Sequence, residues 1–129
     1  MNIWGMQSQS YDDFADRLAP FLDNFVARSH GCHSLPEIVN RIRDARLQVW
    51  VCGDFKAVAM TRTTEENVHI DFCSGSDRFD WQDDLHEEVA AWAKHIGRKR
   101  LFLMCRPGWS KRAKQVGFRE IHRELVRDL

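Results

Sequence analysis

Arg100-Leu101-Phe102-Leu103-Met104-Cys105-Arg106-Pro107-Gly108-Trp109, continuing through Ser110-Lys111-Arg112-Ala113-Lys114-Gln115-Val116-Gly117-Phe118 to Leu125, is the stretch whose reading decides the fold. Leu101 to Cys105 is an apolar run short enough for a buried strand. Arg106-Pro107-Gly108 breaks it, because proline and glycine punctuate regular structure. Trp109 to Val116 then reads as a short helix. Gly117 can take the left-handed conformation that ends a helix, and Phe118 turns the chain back onto the core. Beyond it, Ile121 and Leu125 alternate with Arg123 and Arg127, which predicts a final strand over Phe118 to Arg127.

Upstream of that stretch, Asp80 is placed to cap a long helix whose apolar stripe is Trp81, Leu85, Val89, Trp92 and Ile96. Gly97 ends it, and the basic cluster Lys94, His95, Arg98, Lys99 and Arg100 suits its negative end. Three strands precede this helix. Leu47 to Cys52 alternates, with Leu47, Val49 and Val51 on one side. Gly53-Asp54 signals a two-residue hairpin, and Phe55 to Arg62 runs back. Val68 to Cys73 alternates again, with Val68, Ile70 and Phe72 on one face and His69, Asp71 and Cys73 on the other. Nearer the start, Ile3 to Gln7 reads as a short strand. Tyr11, Phe14, Leu18, Phe21, Leu22 and Phe25 form the stripe of a helix that Pro20 should kink and Gly31 should end. Ser34-Leu35-Pro36-Glu37 has capping-box spacing, and Ile38, Val39, Ile42 and Ala45 face the core of the helix that follows.

The element order is therefore β-α-α-β-β-β-α-β-α-β. The fold class is α+β, with a central mixed sheet flanked by helices. At 129 residues, 43% of them hydrophobic and 29% charged, residues 1–129 are expected to form one domain. Nineteen basic residues balance nineteen acidic ones, which argues against nucleic acid as a partner. No apolar run spans a bilayer, so no membrane partner is expected. Met1-Asn2-Ile3-Trp4-Gly5 lacks the regions of a secretory signal. The widely spaced Cys32, Cys52, Cys73 and Cys105 read as free thiols of a reducing, cytoplasmic compartment.

With this order, and with Arg112-Ala113-Lys114-Gln115-Val116-Gly117-Phe118-Arg119-Glu120 at its end, the chain resembles the GCN5-related N-acetyltransferases (GNAT family) over nearly its whole length. The Arg106-Pro107-Gly108-Trp109 start of the last helix is similar to that of small phage-encoded members. The resemblance implies an acyl-CoA-dependent N-acyltransferase that moves an acetyl group from acetyl-CoA to an amine. It implies a cofactor held where two strands part, its pyrophosphate on backbone N–H groups at a helix start. The residues so placed are Phe72, Cys73, Ser74, Gly75, Ser76 and Arg78, with Arg106 contacting a phosphate or the acceptor. His69 and Asp71 lie on the strand where such proteins carry a general base, and either type can take a proton from an amine. The same two residues on a half-exposed strand would equally pair with each other or face water.

Three departures weigh against that activity. The loop Cys73 to Asp80 has one glycine where the family has two. It carries Asp77 and Asp80, followed by Asp83 and Asp84, which cap a helix well and repel a pyrophosphate. The tyrosine that protonates the leaving thiolate in many members is Ala113 here, and the asparagine common at the helix start is Arg106. A non-catalytic binding or structural module, in phage assembly or on a host protein, is the alternative, and the final strand offers a homodimer edge. No metal site is expected: His30-Gly31-Cys32-His33 is a dense set of ligand types without a second pair. Neither a G-x-S-x-G nor a G-x-x-x-x-G-K-[ST] motif occurs.

Overall fold

The computed structural model describes residues 1–129, the side chain of Pro107 excepted. Five strands form one sheet in the order β1-β2-β3-β4-β5: β1 Ile3–Met6, β2 Gln48–Cys52, β3 Ala57–Thr63, β4 Asn67–Gly75 and β5 Arg100–Leu103. All neighbours are antiparallel except β4 and β5, which run parallel and are joined through α3, Gln82–His95. On one face lie α1, Tyr11–Arg28, and α2, Leu35–Arg43. There Leu18, Leu22, Phe25, Ile38 and Ile42 pack on Val49, Val51, Val58 and Met60. On the other face Trp81, Leu85, Val89 and Ala93 of the α3 region pack on Trp50, Ala57, Ala59, Val68 and Ile70, with Trp109 of α4, Pro107–Gln115, against them. The mixed α+β order read from the sequence holds through α4.

Local chemistry explains most boundaries. The Ser34 hydroxyl accepts from Glu37 N–H at 3.3 Å while Glu37 Oε2 accepts from Ser34 N–H at 3.4 Å, the reciprocal box that starts α2. After α4, Gly117 takes φ +100°. Its N–H donates to Lys114 O, and Phe118 N–H donates back to Ala113 O at 3.1 Å, the paired bonds of a Schellman ending. Phe118 then meets the buried His86 edge-on, with ring centres 5.1 Å apart.

Several expectations change. Residues 118–129 form no strand: Arg119, Arg123 and Arg127 share a strand face with Ile121 and Leu125, so no continuous apolar face exists to bury. α1 runs unbroken through Pro20, whose ring sits on the solvent side, where water can satisfy the carbonyl it frees. It stops at Arg28, before Gly31, and α2 ends before Ala45, which turns left-handed. The β2–β3 turn has four residues, not two, because Phe55 leaves the strand to join Trp4 and Phe14 in an aromatic cluster. Asp80 does not cap α3; it closes a 3₁₀ turn over Arg78–Asp80 and pairs with Lys56 at 2.8 Å.

One further change shapes the site. Met60 pairs with Phe72 and Thr61 with Ile70, so Asp71 is an extra residue, a β-bulge. Val68 and Ile70 face α3, but past the bulge the alternation inverts. Phe72 then packs on the α1/α2 side and Cys73 on the α3 side, opposite to the faces expected from simple alternation.

Candidate functional site

The sheet parts where the bulge sits. Pairing of β4 with β5 runs from Asn67–Arg100 to Ile70–Leu103, and Met104 N–H still donates to Ile70 O at 3.1 Å. From Phe72 to Gly75, β4 pairs with β3 alone. This leaves the outer edge of β4 from Phe72 to Gly75 without a strand partner, and Arg78 just beyond it reaches the start of α4.

Of the residues assigned to a cofactor, Phe72 packs on Phe25 and His33, with ring centres 5.1 and 5.5 Å away. The Ser74 hydroxyl is turned toward α1, where Asn24 Nδ2 donates to it at 2.6 Å. Cys73 is on the opposite face, and burial pushes its thiol well up. Gly75 stands so close to β3 that an added Cβ would lie 2.6 Å from Lys56 O and 2.7 Å from Ala57 Cα, and against Ala57 Cβ. Ser76 O accepts from Trp81 Nε1 at 2.8 Å, which folds the loop back under α3. Arg78 reaches across to the first turn of α4: Nη2 donates to Gly108 O at 3.1 Å, with the guanidinium over Phe79 and near Trp109. Arg106 precedes α4 and is exposed.

The helix start is more open to an anion than its carboxylates suggest. Trp81, which precedes α3, is fully buried and gives no side-chain cap, so no side chain competes for the N–H groups of the first turn. Each nearby carboxylate faces a cation, Asp77 and Asp80 sharing one lysine and Asp84 taking the Met1 ammonium at 2.8 Å. Lys56 Nζ lies 2.8 Å from Asp80 and 3.8 Å from Asp77, and Arg112 holds Asp83 through two bonds of 2.8 and 3.2 Å. Asp77 takes the left-handed conformation, φ 52° and ψ 55°, at a place that suits glycine.

The two candidate bases differ in standing. Asp71 is 15% exposed and accepts from Arg62 Nε at 2.6 Å, so its charge is spoken for. His69 stacks on Phe102 with centroids 4.7 Å apart and planes 10° apart. Burial first, then the Arg62 charge, lowers its pKa from the ordinary 6.5, which leaves a neutral imidazole at physiological pH. Arg62, Phe102 and His33 were not among the residues chosen from sequence. Arg62 was the findable one, as the one charged side chain in the apolar strand Phe55 to Arg62 apart from Lys56 beside its turn. His33 contacts Glu37 at 3.4 Å, and its hydrogen bond lowers the Glu37 pKa.

No protein-family model and no curated protein matches the sequence. Solved structures do match it along nearly the whole chain. A probable acetyltransferase superposes with a TM-score of 0.72 at 14% identity, covering 100% of this chain and 97% of the other. A ribosomal-protein-alanine N-acetyltransferase from Brucella melitensis biovar Abortus 2308 gives 0.70 at 13%, covering all of both chains. The fold is that of the GNAT acetyltransferases. A predicted acetyltransferase with acetyl-CoA from Clostridium acetobutylicum shares this fold with a TM-score of 0.65 at 11% identity, covering 98% of this chain and 95% of that one.

Proposed function

We propose that the protein is an acyl-CoA-dependent N-acyltransferase. The observation that carries the reading is the end of β4–β5 pairing beside a stacked His69. The GNAT fold and two neighbours that contain acetyl-CoA or CoA support it.

In this reading the open β4 edge from Phe72 to Gly75 receives the pantetheine amides. The uncapped start of α3, with Arg78 and Arg106 at the two sides of the gap, receives the phosphates. Gly75 serves chiefly to bring β4 against β3, and Ser74 to hold α1 over the gap. Bound there, the cofactor supplies an activated acyl group. His69 takes the proton of the acceptor amine, and Asp71 fixes Arg62 beside it. Ala113, buried beneath the Gly117 turn, cannot protonate a leaving thiolate. Cys105, exposed two residues beyond β5 with its thiol pKa raised by partial desolvation, or a water takes that role.

Ala113 and the left-handed Asp77 in place of a glycine favour the second reading, a module that binds without turning over. The experiment that separates them is thiol release from acetyl-CoA over a panel of amines. His69→Gln should lower kcat about a hundredfold or more if His69 is the base. Asp71→Asn should act more weakly, through Arg62. Full turnover in both variants would overturn the assignment of this strand.

A further inference from the structure

The row of side chains that carries His69 also carries a rigid cation. Arg62, His69 and Phe102 stand side by side across β3, β4 and β5. Asp71, itself mostly buried, holds Arg62 through Nε alone at 2.6 Å. That bond fixes the plane of the guanidinium and uses one of its five N–H donors. The Nη edge is left on a side chain 36% exposed. Such a fork fits a second carboxylate in two parallel bonds. Glu37 is engaged with His33 and Glu66 with Lys99, while Arg100, two residues before Phe102 on the same strand face, is exposed.

We infer that the acceptor is an amine carrying a carboxylate in the same small molecule, of the α-amino acid class, with Arg62 as its anchor. This rests on the acyltransfer reading. Side chains opposite each other in an antiparallel pair stand about 5 Å apart at Cβ. Arg62 and His69 therefore leave the same sheet face as neighbours, which suits a molecule whose amine and carboxylate share one carbon, the carboxylate on Arg62 and the amine at His69. The amine nitrogen forms the new N–C bond to the acyl carbon. The C–S bond breaks with its electron pair going to sulfur, one amine proton passes to His69, and one proton is delivered to the leaving thiolate.

The test uses the full chain, acetyl-CoA and matched acceptors: L-amino acids, their carboxamides and spermidine, read by thiol release. The acids should be preferred over their amides by about tenfold or more in kcat/KM. Arg62→Gln combined with Asp71→Asn removes both charges together and leaves no buried carboxylate unpaired; in it the acid-to-amide ratio should fall to about one. Should that pair fail to fold, Arg62→Lys replaces it, and the ratio should drop several-fold because the fork is lost. Amides equal to acids, spermidine as the best acceptor, or a ratio unchanged in these variants would overturn the inference while acyl transfer stands. Absence of both acetyl-CoA binding and turnover with every amine would overturn the transfer reading, and this inference with it.

Discussion

Gly75→Ala is the substitution whose cost the structure sets most tightly. Gly75 is the last β4 residue paired with β3, opposite Ala57. A Cβ there would meet Lys56 O at 2.6 Å, Ala57 Cα at 2.7 Å and Ala57 Cβ as well. All three atoms are backbone or fixed to it, so no rotamer change relieves the clash. The strand end must move outward, which costs about 2–3 kcal/mol as overpacking. For a chain of this size that is a fall in Tm of roughly 6–15 °C. The shift also displaces Ser76, and with it the Trp81 contact that sets the start of α3, so acetyl-CoA affinity should fall with stability. Gly5→Ala is the control. It too lies in a strand, but nothing stands within 4 Å of its added Cβ, and its effect should stay within about 0.5 kcal/mol. Urea titration and calorimetry of both variants decide the matter. Equal stabilities for Gly75→Ala and Gly5→Ala would refute the argument that close approach of β3 requires this glycine.

Two other perturbations have definite signs. Asp77→Gly relieves a left-handed aspartate and removes a carboxylate from the β4–α3 loop. It should stabilise the fold by about 0.5–1 kcal/mol and tighten acetyl-CoA binding by roughly threefold to tenfold, checked by thermal melts and titration calorimetry. Burial lowers the His86 pKa from 6.5 to about 4, so between those values the unfolded chain holds a proton that the folded one does not. Stability from this group is therefore complete above pH 6.5 and is lost as pH falls toward 4. Between pH 7 and pH 5, His86→Leu should lose about 2 kcal/mol less than the parent in urea titrations.

Elements with local causes were legible in the sequence. Ser34 and Glu37 cap α2 by themselves, Gly117 and Phe118 end α4 by themselves, and the α1 stripe needs only its own periodicity. What was hidden depended on partners distant in the chain. Val68 to Cys73 alternates without a flaw, so the extra residue at Asp71 exists only in its pairing with β3. The loop acids looked hostile to a phosphate because Lys56 and Arg112, which pair with them, lie some twenty to thirty residues away. The sequence places Phe55 in a strand because its pull toward Trp4 and Phe14 is a tertiary contact. His69 and Asp71 were both nominated from one strand, but only the structure separates them, one stacked and neutral, the other bound to Arg62.

The measurement that bears most directly on the central claim is calorimetric titration of the protein with acetyl-CoA and with free CoA at low and moderate salt. The parting of β4 and β5, with the uncapped start of α3 beside it, predicts micromolar binding of both ligands that weakens as salt rises. No heat up to millimolar ligand at either salt would contradict an acyl-CoA site and favour a module that works through a protein partner.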